Sequence, residues 1–333
     1  MKRVAINGFG RIGRTILRLL LEKDAAQQAE VVAINLGPSK PDNLALLFAY
    51  DSTMGHFPGT VSCDEKSLII NGKAIALFTE KDPAKLPWKS LQIDTVIESS
   101  GAFTDALLAQ AHRTAGAQKV LITAPAKHED FSVIIGVNDH LYDPANHHII
   151  SLGSCTTNCF APIVKVLVEA FGLTGGLMTT IHAYTNDQVL LDVEHKDPRR
   201  ARAAALNMIP TKTGARGLIA QLFPELAGTI DAVAIRVPTP VVSLLDFSFT
   251  AKKALTAESI NRACKEASEG PLKNIMRYEE QPLVSSDFKG NSASCIIDSL
   301  LTQGTGSMGK IFAWYDNEYG YSYRVRDFLL HNK

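Results

Sequence analysis

The sequence has few cysteines, few tryptophans and no excess of charge of either sign. Its 333 residues include five cysteines and two tryptophans, and its 34 lysines and arginines balance 34 acidic residues. This balance gives no bulk attraction to nucleic acid, so we expect no nucleic-acid partner. The odd number of scattered cysteines is not the framework of a disulfide-rich secreted domain and indicates reduced thiols. They are Cys63, Cys155, Cys159, Cys264 and Cys295.

Long apolar runs and internal repeats are also absent. No apolar stretch reaches the roughly 20 residues that span a bilayer, so we expect no membrane partner. The chain opens directly with a strand-like run at residues 4–7, and we therefore expect no signal peptide and a cytoplasmic location. A hydrophobic content of 46% supports large cores, and the length favours two domains.

The first half of the chain alternates strand and helix signals. Strand-like runs at 4–7 and 31–35 flank an amphipathic stretch at 11–22. Further runs with the length of buried strands lie at 95–97, 120–122 and 133–135, and a helical stretch lies at 105–115. This alternation predicts an α/β domain of the doubly wound, Rossmann type, with helices on both faces of a parallel sheet.

The pattern changes after about residue 150. Strands become longer and alternate apolar with polar residues, and fewer helices separate them. These strands lie at 177–183, 232–237, 241–249 and 311–315. The pattern predicts an α+β domain whose largely antiparallel sheet can leave one face open to water or to a second subunit. We place the domains at 1–153 and 154–316, with a C-terminal helix at 317–333 that packs back on the first.

A glycine-rich loop follows the first predicted strand and opens a helix. Gly8, Gly10 and Gly13 have the spacing G-x-G-x-x-G. Such glycines allow a tight turn and a close approach of the backbone to a pyrophosphate, which then faces the helix N-terminus. In this context the loop predicts dinucleotide binding, and the alternative is a glycine-rich turn without a ligand.

The end of the second strand lacks the acidic residue that usually accepts a hydrogen bond from the ribose 2′-hydroxyl of NAD. Asn35 ends the strand and Leu36 follows. Without a carboxylate a 2′-phosphate would not be repelled, and Ser39 and Lys40 could bind it. The alternative for Lys40 is an ordinary solvated loop lysine.

Cys155 lies between a strand-like run at 148–152 and a helical run at 161–171. It is therefore expected in the first turn of a helix, whose positive end should lower the thiol pKa and favour the reactive thiolate. Cys159, one turn further, is expected to be a core residue, and a zinc site built on the two thiols lacks a second ligand pair. His182 ends another strand and is a candidate base, although spacing alone favours a structural histidine.

Several motifs share their order and spacing with one enzyme family. They are INGFGRIGR at 6–14, YDST at 50–53, SCTTN at 154–158, HAYTNDQ at 182–188, PRRARA at 198–203 and WYDNEYGY at 314–321. Through them nearly the whole chain resembles the phosphorylating glyceraldehyde-3-phosphate dehydrogenases. The resemblance implies oxidation of D-glyceraldehyde 3-phosphate to 1,3-bisphosphoglycerate with NAD or NADP and inorganic phosphate, in glycolysis or gluconeogenesis, by a cytoplasmic homotetramer.

The resemblance also implies a role for each matching residue. Cys155 would be the nucleophile that carries the thioester, and His182 the base. The cofactor ligands would be Gly8, Gly10, Arg11, Ile12, Gly13, Lys81, Thr123, Asn317 and Tyr321. The substrate phosphate would bind Thr185, Arg200 and Arg236, and the attacking phosphate Ser154, Thr156, Thr213 and Gly214. Arginine suits this task because its planar fork bonds phosphate oxygens in pairs.

Two departures from the family pattern bear on the choice of cofactor. Leu36 stands where NAD-using members typically carry aspartate, which opens the site to NADP. Glu194 stands in the loop 189–198, where the family has a Leu-Pro pair, and would repel a 2′-phosphate or replace the missing aspartate. We therefore expect that either cofactor can be used.

Two alternative functions stay open at this point. Erythrose-4-phosphate dehydrogenases share the fold and the thioester route but diverge after the catalytic histidine, where this chain keeps Ala183-Tyr184-Thr185. A binding protein on the same scaffold would be non-catalytic. Such a protein would be expected to lose Cys155, His182 or the phosphate ligands, and all are present here.

Overall fold

The computed structural model describes residues 1–38 and 43–331, so Ser39 and Lys40 lie outside the described residues. Two compact units are present. The first comprises the described residues of Met1–Val133, Leu141–Gly153 and the chain from Ser322 onward. The second comprises Ile134–His140 and Ser154–Tyr321.

The first unit is built on a mainly parallel sheet. Its strands are β1 (Lys2–Asn7), β2 (Ala29–Asn35), β3 (Tyr50–Asp51), β4 (Gly55–His56), β5 (Val61–Cys63), β6 (Ser67–Ile70), β7 (Lys73–Phe78), β8 (Thr95–Glu98), β9 (Lys119–Ile122), β10 (Phe131–Ser132) and β11 (Ile149–Ser151). Within the described residues the sheet order is β10-β11-β9-β8-β1-β2-β7-β6-β5, and β3 pairs separately with β4. Strands from β10 to β7 run parallel, while β6 and β5 are antiparallel to their neighbours. The predicted Rossmann-type sheet is confirmed.

Helices α1 (Arg11–Leu20), α2 (Leu44–Ala49) and α3 (Ala106–Thr114) connect these strands. The apolar side chains of α1 recur at helical spacing, and Ile16, Leu17 and Leu20 are buried. Their burial stabilises the helix by about 2 kcal/mol per side chain. The first turn of α3 is capped, because the Asp105 side chain accepts a hydrogen bond from the backbone of Leu107.

One predicted strand is wrong. Residues 133–135 do not form a strand. The strand at this place, β10, ends just before them at Ser132. Val133 and Ile134 are fully buried, as their apolar character requires, but the chain turns there. The turn is held by the Asn138 side chain, which accepts from the Ile134 N–H, and by Gly136, which has a φ of 82°.

The second unit contains a larger, mixed sheet. Its strands are β12 (Leu173–Ala183), β13 (Ile209–Lys212), β14 (Ile230–Val237), β15 (Ser243–Ala251), β16 (Met276–Glu279), β17 (Cys295–Asp298), β18 (Gln303–Thr305) and β19 (Met308–Tyr315). In the described chain their order is β13-β14-β12-β15-β19-β17-β16, with β18 beside β19. Only β12–β14 and β16–β17 are parallel pairs among these. The largely antiparallel sheet is therefore also confirmed.

Three helices of this unit are α4 (Cys155–Phe171), α5 (Ala215–Leu222) and α6 (Ala257–Glu269). Buried side chains of α4, including Phe160, pack in one core with Phe247 of β15. Gly172 ends α4 in the left-handed conformation, with a φ of 67°. This packing fixes the start of α4 beside the strand ends of the sheet. None of the helices in the described residues is long and apolar enough to span a membrane.

The last helix, α7 (Tyr319–His331), begins in the second unit and has most of its length in the first. Within the first unit Arg326 forms an ion pair with Asp24, and Phe328 packs edge-on against Tyr142. Short 3-10 helices complete the described structure. They lie at Pro83–Lys85, Asp139–Leu141, Pro224–Leu226, Ser285–Phe288 and Ser299–Leu301.

A buried polar chain crosses the carboxyl ends of β2, β1 and β8. The Asn35 side chain donates to that of Asn7 at 2.7 Å, and Asn7 donates to the Glu98 carboxylate at 2.5 Å. His112 Nε2 lies 3.0 Å from the same carboxylate, and His112 Nδ1 lies 3.0 Å from Trp88 Nε1. The indole N–H can only donate, so Nδ1 of His112 accepts and Nε2 carries the proton donated to Glu98.

This polar chain supports the glycine loop. Glu98 also accepts from the backbone N–H of Ser100, at 2.8 Å. The neighbouring Ser99 hydroxyl donates to the Gly8 carbonyl at 2.7 Å. The carboxylate therefore fixes the backbone segment against which the glycine loop packs.

We predict that His112→Phe lowers the free energy of unfolding by about 2–4 kcal/mol. The change removes a donor from the buried Glu98 charge and leaves the Trp88 N–H without its acceptor. Denaturant unfolding of the whole chain measures the loss. His140→Phe, at an exposed histidine, is the control and should shift the value by less than about 0.5 kcal/mol. Equal effects of the two changes would contradict a stabilising role for the polar chain.

Candidate active site

The glycine loop packs closely against the backbone of its own unit and is open on one side. Gly8 has a φ of 89°, and a Cβ atom added there would lie 2.4 Å from the Ser100 Cα atom. A Cβ at Gly13 would lie 2.3 Å from the Gly8 carbonyl oxygen, whereas one at Gly10 would meet open space. Because α1 starts directly after Gly10, the N-terminus of that helix borders this open side.

A groove in the first unit begins at this loop and has a cavity volume of about 670 Å³. Gly8 and Gly10 line it together with Leu36, Glu80 and Lys81. Its size is that of small-molecule sites, and its glycine backbone suits a pyrophosphate. The residues present therefore fit a dinucleotide.

Other predicted cofactor residues of the first unit are partly engaged with protein groups. The Arg11 guanidinium lies 2.6 Å from the Asp51 carboxylate and also bonds Thr53. Hydrogen bonds from Met54 N–H and Arg11 hold the pKa of Asp51 below its usual range despite its burial. Ile12 is half-buried in the first turn of α1, and Thr123 follows β9, where its hydroxyl donates to the Glu98 carbonyl at 3.1 Å.

The structure brings Cys155 and His182 together. Cys155 is the first residue of α4, and Ser154 caps the helix by accepting from the Thr157 N–H at 3.0 Å. His182 lies near the end of β12 and is 4% exposed. The Cys155 Sγ atom lies 3.4 Å from His182 Nε2. This is hydrogen-bond reach, so proton transfer between them is direct.

The tautomer of His182 follows from its other nitrogen. Nδ1 lies 2.6 Å from the carbonyl oxygen of Ala183, which can only accept. Nδ1 therefore carries the proton, and the Nε2 lone pair faces the thiol. The Arg236 Nη1 atom lies 3.0 Å from both Nδ1 and the Ala183 oxygen. Because Nδ1 makes the shorter contact to that oxygen and carries a proton, Arg236 donates to the oxygen and not to the ring.

The charges of the pair respond to burial and to Arg236. Burial raises the pKa of the Cys155 thiol, although the positive charge of Arg236 and hydrogen bonds from Thr156 act in the opposite direction. Burial and the charge of Arg236 lower the pKa of His182 to about 3. The backbone groups of Cys155 and Thr156 at the helix start act to lower the thiol pKa, but burial acts in the opposite direction and is the larger effect.

Neutral His182 is nevertheless a competent proton acceptor. When the proton moves from Sγ to Nε2, opposite charges arise 3.4 Å apart. Each charge then stabilises the other, and the two groups titrate as a pair.

Cationic side chains gather beside His182. The Arg236 guanidinium lies 3.4 Å from the Thr185 hydroxyl, and both Arg236 and Arg200 act electrostatically on His182. Arg200 bonds Asp187 and the Thr211 hydroxyl. Thr185, Arg200 and Arg236 therefore share one neighbourhood, in which Asp187 offsets the charge of Arg200 and Arg236 lies beside the base.

The other predicted phosphate residues stand at helix N-termini. Ser154 and Thr156 are at the start of α4, while Thr213 and Gly214 immediately precede α5. Unpaired backbone N–H groups at such positions attract anions. The Thr156 side chain, however, is buried, and its hydroxyl lies 3.0 Å from the Tyr315 hydroxyl.

Asn317 and Tyr321, the predicted cofactor residues of the second unit, are both buried. The Asn317 Oδ1 atom lies 3.3 Å from the Ser243 hydroxyl. No motif or spacing singles out Ser243 or Thr180 from the sequence. The Thr180 hydroxyl lies 2.6 Å from that of Tyr315. Both residues are far from their partners along the chain, and only a family motif pointed to Tyr315.

Three further predictions concern side chains near the site. Cys159 is fully buried in the core of the second unit, as predicted. Glu194 is exposed in an irregular segment. No group of three or more histidine, cysteine or acidic side chains within residues 1–38 and 43–331 has a metal-binding arrangement.

Comparison with known proteins gives matches over both units. A model of the glyceraldehyde 3-phosphate dehydrogenase NAD binding domain matches residues 2–106, and a model of the C-terminal domain of the same enzymes matches residues 154–317. This chain belongs to the glyceraldehyde-3-phosphate dehydrogenase family. The resemblance of its motifs is confirmed, and the family is one of oxidoreductases.

Individual members of the glyceraldehyde-3-phosphate dehydrogenase family are similar along nearly their whole length. Glyceraldehyde-3-phosphate dehydrogenase 2 of Trichormus variabilis is 52% identical over 329 residues, which cover 98% of this chain and 97% of the relative. Glyceraldehyde-3-phosphate dehydrogenase 1 of Bacillus subtilis is 51% identical over 326 residues, covering 98% and 96%. The similarity is therefore not confined to one unit.

We predict that His182→Asn slows alkylation of Cys155 by iodoacetamide about 10- to 100-fold at pH 7. The thiol loses its proton acceptor, so its pH–rate profile should move to higher pH. Mass spectrometry of the modified peptide measures the rate. His140→Asn, at an exposed histidine, should leave both rate and profile unchanged, and an unshifted profile for His182→Asn would show that the imidazole does not take the thiol proton.

Proposed function

We propose that the chain oxidises D-glyceraldehyde 3-phosphate to 1,3-bisphosphoglycerate, using NAD or NADP and inorganic phosphate. One observation carries the proposal: Cys155 Sγ lies 3.4 Å from the unprotonated Nε2 of His182, with the Arg236 cation beside them. A nucleophile, its base and an anion-binding group are thus adjacent. Family membership agrees with this chemistry.

The first step is attack of the Cys155 sulfur on the aldehyde carbon. His182 Nε2 takes the thiol proton as the C–S bond forms, and the carbonyl oxygen becomes an oxyanion. The protonated Nε2 and the backbone N–H of Cys155, at the start of α4, would be its hydrogen-bond donors. Nε2 passes its proton to the oxyanion, which gives the neutral hemithioacetal, and takes that proton back from the hydroxyl group as the hydride leaves and the thioester forms.

The cofactor, when bound, accepts the hydride released in that collapse. Gly8, Gly10 and Gly13 would let the backbone approach its pyrophosphate, while Lys81 and Thr123 would lie along it. Asn317 would hold the nicotinamide carboxamide, with Tyr321 near the ring. These residues position the cofactor and leave the proton chemistry to His182.

Phosphate resolves the thioester in the last step. An oxygen of inorganic phosphate attacks the acyl carbon, the C–S bond breaks, and the acyl phosphate leaves while Cys155 is restored. We assign Ser154, Thr156, Thr213 and Gly214 to this phosphate, and Thr185, Arg200 and Arg236 to the substrate's own phosphate. For Thr156 the backbone N–H would serve, since its hydroxyl is turned to Tyr315.

We also propose a homotetramer in the cytoplasm, able to serve glycolysis or gluconeogenesis. Leu177, Val233 and Met308 lie on the sheet of the second unit and are 69%, 40% and 60% exposed. Exposed apolar side chains on a sheet face favour burial by a further subunit. The five cysteines form no disulfide among the described residues, which suits a reducing compartment.

We predict phosphate-dependent formation of NADH or NADPH from glyceraldehyde 3-phosphate, abolished by Cys155→Ser. The hydroxyl is too weak an acid for His182 to activate as it does the thiol. Absorbance at the nicotinamide band follows turnover, and Cys63→Ser, which removes another partly exposed thiol, should leave it unchanged. A higher kcat/KM for erythrose 4-phosphate would favour that rival activity, and no turnover with either aldehyde would favour a non-catalytic protein.

We further predict that Leu36→Asp lowers the ratio of kcat/KM for NADP to that for NAD by about 10-fold or more. A carboxylate at the end of β2 repels a 2′-phosphate and accepts from a 2′-hydroxyl. Steady-state kinetics with each cofactor measures the ratio. Leu36→Asn has nearly the same shape without the charge and should change it less, and an unaltered ratio for Leu36→Asp would place the ribose away from residue 36.

A further inference from the structure

Ser243 is a buried residue to which the mechanism above gives no role. It begins β15, the strand between β12 and β19, and is 1% exposed. On the β19 side Ser243 pairs with Tyr315, two residues before Asn317. On the β12 side its hydroxyl lies 3.1 Å from the backbone nitrogen of Ala183, the residue after His182. The Ser243 side chain thus lies between the end of β12, next to His182, and the segment that carries Asn317.

The direction of these hydrogen bonds can be derived. The Ala183 N–H can only donate, so the Ser243 oxygen accepts there. The hydroxyl proton of Ser243 is then available to the Asn317 Oδ1 atom, 3.3 Å away. A hydroxyl that donates to Oδ1 holds the amide oxygen of Asn317 toward the serine and leaves the amide N–H₂ group directed away from it.

The backbone before Ser243 is held in an unfavourable conformation. Val242 has a φ of 69°, a region that β-branched residues rarely occupy. Its side chain is buried in an apolar cluster with Phe288, Ala293 and Ile296. Such strain persists only where the surrounding structure fixes it, and it is common at functional sites. The start of β15 is therefore fixed independently of the serine hydroxyl.

We propose that Ser243 is a positioning residue. Its hydroxyl connects the Asn317 amide to the end of β12 beside His182, and so determines where the nicotinamide carboxamide binds. The inference rests on the proposed function, in which Asn317 holds that carboxamide. The hydrogen bonds of Ser243 go to Ala183 and Asn317, and neither goes to the Cys155 sulfur or to the His182 ring. We therefore expect Ser243 to affect cofactor affinity.

The inference gives a specific pattern of NAD affinities. Ser243→Ala frees the Asn317 amide and should weaken NAD binding about 10-fold, equivalent to about 1.4 kcal/mol. Asn317→Ala should weaken binding as well. In the Asn317→Ala background, Ser243→Ala should have no further effect, because the group through which it acts is gone.

Isothermal titration calorimetry with NAD alone, on the four full-length chains of this cycle, tests the pattern without turnover. Ser294→Ala is the matched control, since Ser294 is buried in the same unit and its hydroxyl has no hydrogen-bond partner among the described residues. The control should retain full affinity. An unchanged rate of Cys155 alkylation in the Ser243→Ala variant would show that the Cys155–His182 pair is intact.

Two results would overturn the inference: NAD affinity unaffected by Ser243→Ala, or losses that simply add in the double variant. If the unaltered chain does not bind NAD, the same cycle is measured with NADP, and failure to bind either cofactor would instead refute the proposed function. If Ser243→Ala unfolds because the Ala183 N–H is left unpaired, Ser243→Cys takes its place in the cycle. The thiol is a weaker donor in nearly the same volume, and the same non-additivity with Asn317→Ala is expected.

Discussion

A single hydrogen bond, from His182 Nδ1 to the carbonyl oxygen of Ala183, determines what the Cys155 thiol can do. At 2.6 Å it fixes the tautomer and turns the Nε2 lone pair to the sulfur. A ring with the other tautomer would present a second proton to the thiol and could not accept one. The base is thus set by the backbone of its own strand, without the carboxylate that orients the histidine in many catalytic triads.

The same residue, Ala183, connects the other parts of the site. Its carbonyl oxygen also accepts from Arg236, and its N–H donates to Ser243. Arg236 is therefore positioned by a hydrogen bond to Ala183, at the end of β12. The Asn317 amide is positioned by the same residue through Ser243. A shift of that strand end would disturb proton transfer, phosphate binding and the carboxamide contact together, so the long sheet behind it acts as a rigid support.

The sequence predicts features that depend on neighbours along the chain. The glycine loop before α1 and the helix start at Cys155 are local patterns, and both are found where expected. The turn at 133–135 was missed because its apolar residues are buried in either conformation. The net shift of the thiol pKa was missed because burial depends on the whole unit.

Long-range pairs account for the rest of what the sequence could not reveal. Ser243 is 60 residues from Ala183 and 74 from Asn317. The alternation of β15 puts Ser243 on the same face as Leu245 and Phe247 and so indicates that it is buried, but it does not indicate which groups it contacts. The sheet register brings the three residues together, and that register is a property of the folded unit.

The first unit is assembled from both ends of the chain, which has a consequence for biosynthesis. Its parallel sheet is complete once β11 has been made, but the part of α7 that belongs to it is translated last. Arg324 and Arg326 of that helix are buried, and Arg326 pairs with Asp24. On the ribosome the nascent first unit therefore waits, with this surface uncovered, for the whole second unit to emerge. A chaperone that shields the vacant helix site would act during that interval.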